Sequence, residues 1–395
     1  MPKLALDGGR PVRPKNRFLV FGAPEIGQAE ISGVTDSLLR RWIGTGPKVA
    51  RFEREFAGYK DMPYAVAVNS CTAALHLSML ALDLGPGDEV LVPALTFCAT
   101  ANAVLHAGAI PIPVDVDPVT FNFNAADAVG KISRRTKALI PVHFAGRPCD
   151  MRAICRLAKD NGLKIIEDCA HAIETQWQGK KTGGFGSLAC FSFYATKNLT
   201  TGEGGMILTR HKKTADRLKR LALHGMSQDA WNRFGDQGYK HYDVVELGYK
   251  YNLTDMAAAI GLVQLASIDT HWQRRKQIWD TYQKAFSDLP VTLPAEPERG
   301  DLHAYHLYTP LITKRSGLRR DHVLAALTAE GIGVGVHYRS LADHPLYRKR
   351  LGWKRAMVPV SARIGDHTLS LPLSPGLSDA DVQDVITAFR KVLKR

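Results

Sequence analysis

The sequence predicts an α/β protein: a mostly parallel mixed sheet flanked by helices, followed by a smaller C-terminal α/β piece. Three observations carry that expectation. From about residue 64, short β-rich runs alternate with helix-length segments of helical apolar spacing, which is the pattern of βαβ units around a parallel sheet. Turn sequences such as GPGD (85–88) separate the runs,. Beyond about residue 253 the period changes to long helices and then to short mixed elements. A chain of 395 residues exceeds one ordinary domain,, and the change of period places a boundary after residue 265. The expected division is a large domain with an N-terminal arm over 1–265 and a small domain over 266–395.

The elements follow in order. YAVAVNS (64–70) reads as a strand and CTAALHLSMLALDLG as the helix after it. EVLVPA is a strand, TANAVLHAGA a helix, IPIPVDV a strand, and KALIPVHFA (137–145) another. MRAICRLAKDNG (151–162) has helical spacing and a glycine stop. LKIIEDCA (163–170), SLACFSF (187–193) and GGMILT (204–209) complete the strands of the large piece. LTDMAAAIGLVQLASIDTHWQRRKQIWDTYQKAFSDL forms one or two long helices, with Thr254 as the cap before Asp255. AYHLYTPLIT, a helix opened by RRDHVLAALTAEG, the strands GVGVHY and LSLPL, and a final helix from SDADVQDV end the chain. No fixed-period repeat interrupts this order.

Composition excludes several classes. Apolar residues at 45% beside 23% charged residues argue against global disorder,. No apolar stretch reaches the roughly 18 to 20 residues of a membrane span, and MPKLALDGGRPVRPKN lacks the apolar region of a secretory signal,. Six cysteines without a CxxC pair are no disulfide scaffold or zinc ribbon,; no metal site is expected, and a reduced, cytoplasmic compartment is. The net charge of +14 admits nucleic acid, anionic lipid or a phosphorylated substrate. Its bases are scattered in short runs such as KISRRTK (131–137) and RKRLGWKR (348–355), which read first as solvated helix faces.

Open α/β sheets bind ligands at the carboxyl ends of their strands, and four strand exits carry unusual residues. After the first comes Ser70-Cys71-Thr72-Ala73 at a helix start, where the N–H groups of Thr72 and Ala73 and the Thr72 hydroxyl suit a phosphate; a plain cap is the simpler reading. After EVLVPA comes Phe97, which either lies flat on a planar ring or packs in the core. After LKII come Glu167 and Asp168, then His171. A buried carboxylate there needs a cationic partner, and a protonated pyridine nitrogen is one; a cap or a structural ion pair is the alternative. After ACFSF comes Lys197, between a core strand and the glycine-rich TTGEGG, where burial depresses a lysine pKa and permits Schiff-base chemistry. Phosphate cradle, stacking aromatic, strand-end aspartate and loop lysine, in that order, are the four handles of pyridoxal phosphate.

The segments EDCAHA, FSFYATKNLTTGEGG, WIGTGPKVARFE and GYKYNLTDMAAAIG resemble the DegT/StrS-type nucleotide-sugar aminotransferases, fold-type I pyridoxal phosphate enzymes, from about residue 18 to the C-terminus. GYKYNLTDMAAAIG and PVHFAG are most similar to members that aminate a keto-pentose nucleotide for lipid A modification, a lipopolysaccharide pathway. The resemblance implies Lys197 as the Schiff-base lysine and proton shuttle, Asp168 as the partner of the pyridine nitrogen, and His171 as a contact to the cofactor's 3-oxygen. It implies Phe97 as the stacking ring, and Thr72, Ala73 and Ser192 as phosphate contacts. Asn252 matches an asparagine that reaches the phosphate from the neighbouring subunit, which implies a homodimer with shared sites. Tyr194 departs from the family's frequent histidine. Members that dehydrate carry histidine in place of the lysine, so amination is expected here, from glutamate or glutamine to a keto group of a nucleotide-activated sugar. GTGP (44–47), with Thr45, and VHYRSLADHP (336–345), with His337 and Tyr338, are candidate substrate loops.

Other readings have less behind them. A different enzyme of the same fold, acting on a keto-cyclitol or as a sugar-modifying lyase, shares the same handles. A nicotinamide-dependent sugar oxidoreductase requires a GxGxxG turn after the first strand; none opens that turn, and GIGVG (331–335) lies far too late, between a helix and a strand,. A DNA-binding regulator requires a helix-turn-helix module that the sequence lacks, so neither a nucleic acid nor a membrane is expected as partner.

Overall fold

The computed structural model describes residues 3–227 and 241–394. A seven-stranded sheet organises the larger part. Its strands are β1 (Tyr64–Val68), β2 (Glu89–Pro93), β3 (Ile110–Val114), β4 (Thr136–Leu139), β5 (Lys164–Asp168), β8 (Leu188–Ser192) and β9 (Gly205–Thr209), in the order β1-β9-β8-β5-β4-β2-β3. The pairs from β8 to β3 are all parallel; β9 alone runs against both of its neighbours. β6 (Gln176–Trp177) and β7 (Lys180–Lys181) form a small hairpin between β5 and β8. Prolines 111 and 113 fit because β3 is the sheet edge, where a missing N–H breaks no ladder,.

Side chains alternate between the two faces of the sheet. Val66, Val68, Cys190 and Ile207 pack on one side with the Cys71–Ala81 helix. Ala65, Ala67, Ala189, Phe191 and Met206 face the other, against Phe52, Phe56 and the Asp255–Ala266 helix. Both faces are therefore covered, as a parallel sheet requires.

The expected long helical segment is two helices, Asp255–Ala266 and Ile268–Phe286, meeting at Ser267. The Thr254 hydroxyl accepts from the Ala257 N–H at 3.3 Å, as the cap reading anticipates. A separate apolar cluster joins Trp279, Tyr282, Phe286, Tyr308, Val385 and Phe389. Leu4 belongs to it, and Arg13 pairs with Asp381 and Asp384, so the N-terminal arm packs on the C-terminal part. β10 (Val291–Thr292) and β11 (Leu311–Ile312) form a short ladder there. GVGVHY and LSLPL are not strands: they meet in an isolated bridge, Gly335 with Ser370, and LSLPL makes another with Tyr308 through Leu371. Alternating glycines in one segment and Pro372 in the other deprive them of a continuous ladder,. Among the described residues no helix is long and apolar enough to cross a membrane.

Candidate active site

At the carboxyl edge of the sheet a cavity of about 460 Å³ opens between the ends of β1, β2, β4, β5 and β8. Asp168, the last residue of β5, is its floor and is 4% exposed. Its Oδ2 accepts from the Thr100 hydroxyl at 2.9 Å and its Oδ1 from the Ala170 N–H at 3.1 Å. Burial pushes the carboxyl pKa up, partly countered by the Thr100 hydrogen bond. Among the described residues no cation lies within ion-pair distance of it. Glu167, one residue earlier, points to the opposite face. It accepts from the N–H groups of Gly183, Phe185 and Gly186 and contacts His143 Nε2 at 3.2 Å. Burial raises its pKa, but these partners overcome that and hold it below the ordinary value. Of the two adjacent carboxylates, one is structural and one faces the cavity.

Lys197 projects from a loop that closes on itself. The Phe193 N–H donates to Gly204 O and the Thr201 N–H to Phe193 O, both at 2.9 Å, while the Lys197 N–H donates to Tyr194 O. Asn198 anchors the loop by donating to Glu174 Oε2 and Ala304 O and meeting His306 Nδ1, each at 2.9 Å. Among the described residues Lys197 Nζ has no hydrogen-bond or ion-pair partner. Burial lowers its pKa to about 8, with Cys71 and Asp168 acting the other way. About a tenth of the amine is therefore neutral at pH 7, far more than for an ordinary lysine, and nucleophilic attack requires that neutral form,.

Thr72 and Ser192 line the same cavity beside the start of the Cys71–Ala81 helix. The cap there is Ser70, whose Oγ accepts the Ala73 N–H at 3.1 Å; Ala73 is thus occupied by the cap and does not line the cavity. Phe97 stands on the rim, 57% exposed, rather than in the core. Tyr338 lies 6.0 Å from it, ring to ring. His171 and His337 complete the wall. The His337 Nδ1 meets Ser370 Oγ at 2.7 Å, and burial beside Lys197 takes its pKa down to about 3.

Thr45 and Asn252 are brought together, but away from Lys197. Asn252 Nδ2 donates to Thr45 Oγ1 at 2.6 Å, and the pair lines a second, largely apolar cavity of about 480 Å³ with Trp42 and Lys219. The Asn252 Oδ1 is buried with no hydrogen-bond partner among the described residues.

Reading the sequence missed Thr100 and Val142, which line the lysine cavity. Thr96 and Thr100 stand four apart, and their hydroxyls meet at 2.9 Å; that spacing at a helix start was a usable signal. Val142 carries none, being one more apolar residue after a strand.

These residues fit pyridoxal phosphate. A buried carboxylate with no cation suits a protonated ring nitrogen, an unpaired lysine suits the aldehyde, and hydroxyls at a helix N-terminus suit the phosphate. The cavity also falls within the range of roughly 300 to 1,000 Å³ usual for small-ligand sites.

Comparison with known proteins agrees. The model of the DegT/DnrJ/EryC1/StrS aminotransferase family matches residues 24–390. Spore coat polysaccharide biosynthesis protein SpsC of Bacillus subtilis is 44% identical over 385 residues, covering 97% of this chain and 99% of that protein. The putative sugar aminotransferase Spr1654 of Streptococcus pneumoniae, solved in apo, PLP and PMP forms, is 33% identical; its apo form superposes with a TM-score of 0.89 over 95% of this chain and 98% of its own. PseC of Helicobacter pylori, an aminotransferase of pseudaminic acid biosynthesis, is 25% identical with a TM-score of 0.88, covering 95% of this chain and 99% of its own. With a fold-type I sheet, a site that fits pyridoxal phosphate and a family model spanning nearly its whole length, the chain belongs to the DegT/DnrJ/EryC1/StrS family of pyridoxal phosphate-dependent sugar aminotransferases.

Proposed function

We propose that this protein moves an amino group from glutamate or glutamine to a keto group of a nucleotide-activated sugar destined for a surface polysaccharide. The observation that carries the reading is the convergence of Lys197, Asp168, Thr72 and Phe97 on one cavity at the carboxyl edge of the sheet. SpsC and PseC, whose names speak of polysaccharide and sugar-acid biosynthesis, support the substrate class.

When bound, pyridoxal phosphate supplies an electron-withdrawing ring that stabilises negative charge on the carbon losing its proton. Asp168 keeps the ring nitrogen protonated, and Thr100 and Ala170 fix the direction of its carboxylate. Lys197, its pKa lowered by burial, would hold the cofactor through Nζ and, once the amino donor has displaced it, would take the proton from the donor's α-carbon and deliver it to the cofactor carbon on the other side of the shared nitrogen. Phe97, Val142 and Tyr338 give the cavity an apolar wall beside Lys197. The two half-reactions share one cavity, so ping-pong kinetics follow.

The reading extends to a homodimer in which Asn252 of one protomer completes the phosphate site of the other, to the division of the chain after residue 265, and to a reducing cytoplasm, which six unpaired cysteines support. The test is a panel of keto-sugar nucleotides mixed with the amine form of the enzyme. Return of the aldehyde-form absorbance with at least one member is expected. Silence across the panel, from protein that still turns over simple keto acids, would overturn the substrate class.

A further inference from the structure

Behind the loop that carries Lys197 lies a buried ion pair that the mechanism above does not use. Arg275, on the Ile268–Phe286 helix, is 1% exposed, and its Nη2 bonds Oε1 of Glu174, itself 4% exposed. The other Glu174 oxygen, Oε2, accepts from Asn198 Nδ2 at 2.9 Å. Asn198 gives its second amide hydrogen to Ala304 O at 2.9 Å, and Arg275 Nε donates to the same carbonyl at 3.4 Å. Arg275, Glu174, Asn198 and Ala304 thus close a ring of hydrogen bonds. A carboxylate and a carbonyl only accept, so both Asn198 amide hydrogens are committed and its Oδ1 is left to accept from His306 Nδ1,. The amide therefore has one orientation.

Asn198 directly follows Lys197, whose amine has no hydrogen-bond or ion-pair partner among the described residues. The direction of that amine is inherited from its backbone, and Asn198 is where the backbone is tied down. Arg275 and Lys197 line one narrow cavity at the back of the loop. An ion pair this deep is a poor source of stability, because taking two charges out of water costs about as much as pairing them returns. What it supplies is direction. We propose that Arg275 is a positioning residue: through Glu174 it orients Asn198, and through Asn198 it aims the Lys197 amine at the cofactor's aldehyde carbon. Neither Arg275 nor Glu174 lines the lysine cavity. Neither is among the groups that shift the Lys197 pKa, which are its burial, Cys71 and Asp168. The effect is therefore geometric. The inference rests on Lys197 as the attacking amine of the proposed function.

The test is the rate at which cofactor-free protein captures added pyridoxal phosphate, with the attachment site read by borohydride trapping and mass spectrometry. A double variant combines Arg275→Met with Glu174→Leu, so that apolar chains replace both charges at once. A buried pair tolerates that exchange with little loss of melting temperature. Capture should slow at least about tenfold, as small misplacement of a reacting group does, while its pH midpoint stays at the wild-type value. Asn198→Ala leaves the ion pair and the fold intact and should slow capture to the same degree. The triple variant should be no slower than the double, because residues that act in series do not add. Wild-type capture by the double variant or by Asn198→Ala overturns the inference. So do losses that multiply in the triple variant, or a midpoint that moves. All of these leave the aminotransferase reading intact. Trapping of the cofactor on another lysine in wild-type protein would overturn the assignment of Lys197, and the inference with it.

Discussion

At the scale of single residues the site depends on burial. Asp168 has two hydrogen bonds and no cation, so Asp168→Asn removes the charge that keeps the ring nitrogen protonated. Its rate should fall by roughly 10²–10³-fold, typical for loss of one aligned electrostatic group, with cofactor still bound by absorbance. Thr100→Val removes a single hydrogen bond to that carboxylate, worth about 1.5–3 kcal/mol, and should lower kcat at least tenfold. Lys197, lowered to about 8 by burial, is protonated below that pH and neutral above it. The rate at which cofactor-free protein captures added pyridoxal phosphate, followed by stopped-flow absorbance, should rise with pH up to about 8 and then level off. A flat profile would place the attacking amine elsewhere. The sequence made Asp168 legible because it ends a recognisable strand, and Lys197 because it lies between such a strand and a glycine-rich turn. It did not separate the roles of Glu167 and Asp168 by itself, since that depends on which face of β5 meets the glycine turn at 183–186. Nor could it show that Ser70 already takes the Ala73 N–H.

At the scale of elements, the glycine-rich turn after Lys197 earns its composition by close approach. A Cβ on Gly205 would lie 2.6 Å from Ser70 C and 2.8 Å from Cys71 N, so β9 can pack beside the phosphate-side helix start only with glycine at its first position. Gly205→Ala should shift that helix start, weaken cofactor binding at least tenfold and lower the melting temperature, read by cofactor titration and calorimetry. Unchanged affinity would mean that the helix start is not the phosphate site. The parallel core was readable because alternating short strands and helices leave few topologies. The antiparallel β9 was not, because local sequence does not encode direction. The C-terminal segments GVGVHY and LSLPL have the composition of strands yet form only isolated bridges, since their glycines and prolines leave too few ladder partners.

At the scale of the whole molecule, the charge of +14 would, on the proposed function, serve without nucleic acid: a sugar diphosphate, a phosphorylated cofactor and a dicarboxylate donor would all be anions that a basic surface attracts. Sharing of sites between protomers is the larger claim. Thr45 and Asn252 line a cavity apart from Lys197, so a single chain does not bring all the sequence-identified residues together. If Asn252 serves the partner, mixing inactive Lys197→Ala with an Asn252 variant that has lost activity should restore roughly a quarter of wild-type turnover, as random exchange in a two-fold dimer gives one intact site in four. No recovery after verified subunit exchange would place Asn252 outside the shared site. The most direct test of the central claim supplies isotopically labelled glutamate together with a keto-sugar nucleotide and follows the label by mass spectrometry. The account predicts that labelled nitrogen appears on the sugar with wild-type protein and not with Lys197→Ala; labelled sugar formed equally by that variant would contradict it.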